Sequence, residues 1–176
     1  MDSFTFINHA SYVVETDNSL LIVVPWVEGG AFDNGWSLLD KSITNKVLVE
    51  YLSKIKKAKF IWLSHEHSDH FSVPLLKALK KSEVEVKFLF QKTLDRRVAQ
   101  FIKRMGFSIT ESNDKLEELD SELSIATFPY AGGDSYSLTM LNEFSILNIN
   151  DCVVNDEVGV ERVLRSCKKY TKNMVE

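Results

Sequence analysis

The chain opens on alternating and short apolar runs. Residues 4–7, 11–16 and 20–25 are rich in β-branched and aromatic side chains and predict three short strands. Asp17-Asn18 is turn chemistry, so the second and third strands are expected to pair as a hairpin. The period then changes. Over 42–57, Ile43, Val47, Leu48, Tyr51, Leu52 and Ile55 recur at helical spacing. Phe60-Ile61-Trp62-Leu63, within 59–64, is an unbroken apolar run that reads as a buried strand. A helix is predicted over 74–80 with Pro74 in its first turn, a strand over 85–91, and a helix over 93–105 with Thr93 as N-cap and Gly106 at its end. From 107 onward a β meander is expected, with strands at 107–110, 115–119, 123–129, 135–141 and 144–150 and a turn at Asn142-Glu143. An amphipathic helix over 156–170 closes the chain, with Val160, Val163 and Leu164 on its apolar face. The whole is an α/β (α+β) pattern, a mixed sheet with flanking helices.

Segment 27–37 fits neither period. It carries Gly29, Gly30 and Gly35 beside Trp26, Phe32 and Trp36. It reads as an ordered loop that either walls a site or plugs the core.

Composition narrows the class without naming it. At 176 residues the chain is expected to form a single domain, 1–176, with 44% hydrophobic and 26% charged residues, as in ordinary globular proteins. A formal net charge of -4 argues against general nucleic-acid binding. The lysine runs at 54–59 and 77–81 lie on helical patterns and read as solvated faces. Cys152 and Cys167 do not make a disulfide framework and fit a reducing, cytoplasmic location. No signal peptide and no membrane span is visible in the pattern.

The chemistry concentrates in His65-Glu66-His67-Ser68-Asp69-His70, directly after the predicted buried strand. Three of the chain's four histidines lie in these six residues. Imidazole is the commonest protein ligand for zinc and related metals. His65 and His67, two apart on an extended turn, can share one ion. Asp69 and His70, on the next bend, can address a second a few Å away. The strand's carboxyl end is also where open α/β sheets place ligands.

This motif resembles the H-x-H-x-D-H motif of the metallo-β-lactamase-fold hydrolases. Asn8-His9-Ala10-Ser11 is similar to the Gly-His-Ala-Ser/Thr turn of the branch containing ascorbate-phosphate lactonases and N-acyl phospholipid phosphodiesterases. Asn150-Asp151-Cys152 resembles the later aspartate motif. Pro25-Trp26, Gly30-Ala31-Phe32 and Gly35-Trp36 are similar to the non-Rieske part of the CMP-N-acetylneuraminate hydroxylases. The resemblance implies a metallo-β-lactamase-like αββα sandwich, of which the chain would supply one half. It implies two divalent metal ions, zinc first, with manganese or iron as alternatives. The ligands would be His65, His67, Asp69 and His70, with Asp151 bridging. Asp69 would also serve as catalytic base, and His9 and Asn150 would lie beside the metals, against a ligand or the substrate. The implied activity is metal-dependent hydrolysis of a phosphodiester, lactone or related small-molecule ester by a metal-bound hydroxide. The rival readings are a catalytically incomplete binding or dimerising module, and part of a sugar-nucleotide hydroxylase system.

Three departures qualify the resemblance. Val24 stands where the family usually has an aspartate. No histidine follows His70, and Asp134 in 129–135 is the substitute ligand there, or else caps its loop. The family's last histidine belongs to a second half beyond this sequence. A lone half would leave one apolar sheet face bare. That leads to the expectation of a missing C-terminal half, a homodimer, or a closing helix folded over the sheet.

Overall fold

The computed structural model describes residues 2–171. Its first sheet joins β1 (Ser3–Asn8), β2 (Ser11–Glu15), β3 (Ser19–Val23), β6 (Ala58–Trp62), β7 (Lys87–Phe90) and β8 (Ser108–Glu111) in that order. β1, β2 and β3 are antiparallel, as the hairpin at Asp17-Asn18 requires. From β3 to β8 the pairing is parallel. Each parallel step is made by a crossover helix: α1 (Asn45–Lys54), α2 (Val73–Lys81) and α3 (Arg97–Arg104). Between β3 and α1 lies a two-stranded ribbon, β4 (Gly30–Ala31) and β5 (Trp36–Ser37).

Period-two alternation sorts the first sheet's side chains onto two faces. Val13, Leu20, Ile22, Ile61 and Phe88 face the helices and pack with Leu48, Leu52, Leu75, Leu79 and Ile102. Tyr12, Val14, Leu21, Val23, Phe60, Trp62 and Leu89 form the other face. β3 and β6 read as continuous apolar runs because both of their faces are covered.

The second sheet is an antiparallel meander ordered β12-β11-β10-β9, made of β9 (Leu116–Glu118), β10 (Ser124–Pro129), β11 (Ser135–Met140) and β12 (Ser145–Asn148). Leu123, Ile125 and Leu141 bring it against the free face of the first sheet. Trp62 Nε1 donates to Thr127 Oγ1 across that contact at 2.9 Å. α4 (Glu157–Thr171) lies on the far face, with Val163 and Cys167 against Phe128, Tyr136 and Leu138. The layers are therefore helices, sheet, sheet, helix.

Five expectations change. The bare sheet face is not present, because strands read as one meander fold over as a second sheet and bury it. The closing helix covers that second sheet rather than the first. The strand near 107–110 belongs to the first sheet as β8, since the α3 crossover returns it parallel to β7. On α4 the buried face is Val163 and Cys167, while Val160 and Leu164 are 46% and 45% exposed. Thr93 also does not cap α3: Arg96, left-handed at φ 53, stands at the N-cap, and Thr93 Oγ1 accepts from its amide.

Among the described residues, no helix is long and apolar enough to cross a membrane.

Candidate metal centre

β6 ends at Trp62, and the chain turns at once into the histidine segment. The turn is closed by the amides of His70 and Phe71, both donating to the His67 carbonyl. Its base is pinned from two other elements. The Ser64 carbonyl accepts from Gln91 Nε2 at 3.0 Å, just past β7, and from Ser135 Oγ at 2.6 Å, at the start of β11. Phe32 reaches the turn from the β4–β5 ribbon: its amide donates to Ser68 Oγ, and its ring stands edge-on to His67 at 5.7 Å. The glycine and aromatic loop thus walls the site, while Trp26 just before it is buried. Glu66 points away and pairs with Arg97 on α3.

His65, Asp69 and His70 are buried, and His67 and Asp151 are exposed. The ligand atoms of His65, His67 and Asp151 form one cluster, and those of His9, Asp69 and His70 form another. Asp151 sits between them, its Oδ2 3.2 Å from His70 Nε2 and 3.7 Å from His65 Nε2. A tight turn places it there, with the Cys152 amide donating to the Ile149 carbonyl and Asn150 in the left-handed region at φ 54. His65 Nε2 and His67 Nδ1 are 2.7 Å apart.

The other nitrogen of His65 faces away from the cluster. Its Nδ1 meets Ser64 Oγ at 2.9 Å, Asp134 Oδ1 at 3.4 Å and Asn150 Nδ2 at 3.4 Å. Asp134 therefore approaches the ring from behind, where its carboxylate favours a proton on Nδ1 and leaves Nε2 facing the cluster, and Asn150 lies beside it. Burial lowers the pKa of His65 and brings that of His70 down to about 4, against the pull of the nearby carboxylates. Both rings are thus neutral near pH 7, the form in which imidazole binds a metal.

The residues fit a divalent metal on a second count. Asp69 Oδ1 and His70 Nε2 are buried without a hydrogen-bond partner. Orphaned polar atoms are costly in an interior unless something else satisfies them, and these are donor atoms for zinc-like ions. Nitrogen and carboxylate oxygen suit zinc, manganese and iron alike.

Two clefts open beside the cluster. One, of about 570 Å³, runs past His65 and His67 between Gln91, Lys92, Arg97 and Tyr130. The other, of about 510 Å³, lies past His9 between Trp26, Trp36 and Leu39. A larger cavity, of about 820 Å³, lies at the opposite end of the first sheet, where the parallel strands begin. Two of its lysines make structural contacts: Lys59 Nζ donates to the Ile55 and Lys57 carbonyls past the end of α1, and Lys57 pairs with Glu15.

Histidines and a carboxylate at the end of a strand, between two sheets flanked by helices, define the metallo-β-lactamase fold, and this chain has it. A solved structure agrees: a candidate metal-dependent hydrolase from Parabacteroides distasonis superposes with a TM-score of 0.51 at 18% identity, over 86% of this chain and 61% of its own. The metallo-β-lactamase fold protein YhfI of Bacillus subtilis gives 0.49 at 16% identity, over 82% and 56%. No protein-family model matches the sequence. Within that fold class the chain is similar to cytidine monophosphate-N-acetylneuraminic acid hydroxylases. The Xenopus laevis enzyme is 31% identical over 109 residues, which is 62% of this chain and 17% of that protein. The inactive human hydroxylase is 26% identical over 155 residues, 84% of this chain and 30% of that protein. The chain thus spans less than a third of the length of these relatives.

The clustering of the turn's histidines and aspartate is legible from local sequence. Ser64, Gln91 and Ser135 were not identified as site residues, and no local signal marks them. They matter only because β6, β7 and β11 converge.

Proposed function

We propose that the chain is a metal-dependent hydrolase acting on a phosphodiester, lactone or related ester. The observation that carries this is the position of Asp151 Oδ2 between the buried rings of His65 and His70, where the two clusters of ligand atoms meet. His65, His67 and Asp151 would hold one ion, and Asp69 and His70 the other, with Asp151 shared. Divalent ions bound there would supply Lewis acidity and lower the pKa of water toward about 7. Asp69 is 2% exposed and has an oxygen free of hydrogen bonds, so it can accept and hold a proton at Oδ1. Asp134 keeps the His65 ring turned toward the cluster.

The similarity to the hydroxylases favours one second reading, a module of a sugar-nucleotide hydroxylase system. A Rieske centre needs a Cys pair and a His pair. Cys152 and Cys167 are both buried, in the contact between α4 and the second sheet, so the electron-transfer centre would have to come from another segment or protein.

Metal analysis after loading and desalting tests the first reading, together with turnover of bis-p-nitrophenyl phosphate. Near-stoichiometric metal that falls in His67→Ala, with metal-dependent turnover, is the expected result. Wild-type protein that holds no metal after loading would sink it.

A further inference from the structure

We propose that His9 is a direct ligand of the second metal ion, completing a four-donor set with Asp69, His70 and Asp151. This rests on the metallohydrolase reading and makes it more specific. The argument is geometric. Donors 2.0–2.2 Å from a tetrahedral zinc ion stand roughly 3.3–3.6 Å from one another. His9 Nε2 is 3.3 Å from Asp69 Oδ2. His70 Nε2 is 3.2 Å from that same oxygen and 3.2 Å from Asp151 Oδ2. These are close to the edge lengths of a tetrahedron around an ion. They are long for hydrogen bonds, whose N···O distances centre near 2.9 Å. His70 Nε2 also makes no hydrogen bond at all.

The surroundings hold His9 in place for this role. It occupies the tight β1–β2 turn with φ 49, a left-handed conformation that few residues other than glycine, asparagine, aspartate and histidine adopt readily. Buried Trp26 stands edge-on to its ring at 5.2 Å, and the His70 ring lies at 5.4 Å. Its side chain is 29% exposed toward the 510 Å³ cleft. An ion held there is open to a ligand entering from the Trp36 side. The set comprises two imidazoles and two carboxylates, so it would take a borderline divalent cation such as zinc or cobalt.

The test titrates cobalt(II) into metal-free wild-type, His9→Asn and His9→Ala proteins, following the visible d–d bands and the bound metal by mass spectrometry. Asparagine tolerates the left-handed turn, and circular dichroism checks that each variant is folded. The wild type should bind two ions. The variants should keep one and lose the second by more than 100-fold, with loss of its d–d intensity. Weakening within the roughly 10–100-fold typical of lost outer contacts, with unchanged bands, would overturn the inference and make His9 a positioning partner of Asp69. Wild-type protein that binds a single ion also overturns it, and wild-type protein that binds none overturns the hydrolase reading with it. A second measurement needs no variant: cobalt loading of the wild type should protect His9 from diethyl pyrocarbonate. Full His9 reactivity in protein loaded with two ions refutes ligation.

Discussion

Acidification of the metal-free protein should cost stability in a window set by His70. The ring is 1% exposed, lies 4.4 Å from the His65 ring, and faces Asp69 and Asp151. Burial outweighs those carboxylates and brings its pKa from 6.5 to about 4. Below pH 6.5 the unfolded chain takes up a proton that the folded chain refuses until pH 4. Stability from this group is therefore full above about 6.5 and is lost as pH falls toward 4. The displacement is worth ~3 kcal/mol, a large part of the 5–15 kcal/mol that typically holds a domain together. His65, lowered for the same reason, adds to the slope. Urea unfolding of chelator-treated protein between about pH 7.5 and about pH 4.5 reads the effect directly. His70→Gln cannot titrate, so its stability should fall by roughly 3 kcal/mol less than that of the wild type across the window. Parallel pH profiles for the two proteins would refute the burial argument.

Other predictions follow from single contacts. Chelation should lower the melting temperature by roughly 5–10 °C relative to protein in metal at about a hundred times Kd; a chelator-insensitive melt counts against both ions. Thr127→Val leaves the Trp62 indole N–H buried without its acceptor. It should cost ~1–3 kcal/mol by fluorescence-monitored urea unfolding, and a neutral result would mean that this hydrogen bond contributes nothing between the sheets. Tyr12 is buried at the same contact, beside Ser137, Thr139 and Asn148, in a polar group without well-aligned hydrogen bonds. Burial raises its pKa to about 12, so its contribution is full below about 10 and is lost as pH rises through 12. Tyr12→Phe should flatten alkaline unfolding in that range, and an unchanged alkaline limb would contradict the assignment.

What the sequence shows of this site depends on how far apart in the chain its parts lie. The turn His65–His70 is legible because six consecutive residues carry most of the chemistry and an apolar run announces the strand before them. His9 and Asp151 are separated from it by long stretches of chain, and hydropathy alone gives them no role. The second sheet was legible as strands but not as a cover, since alternation reports that a face is buried and not what buries it. Backbone conformation was the least visible feature. His9, Val24 and Asn150 all have positive φ, at 49, 45 and 54, and all lie at the site or beside it. Val24 donates its amide to the Trp62 carbonyl, next to the start of the histidine turn, and its own carbonyl accepts from Ser11 Oγ and the Trp26 amide. A β-branched residue in this region is a genuine outlier. Aspartate tolerates it better. The fully buried valine therefore holds an unfavourable backbone bend. Retaining the bend makes sense if it is what carries the chain from β3 past the histidine turn to Trp26, and so sets the wall against which His9 packs. Strain of this kind persists only where the surrounding structure holds it. Here the hydrogen bonds to Trp62, Ser11 and Trp26 do so.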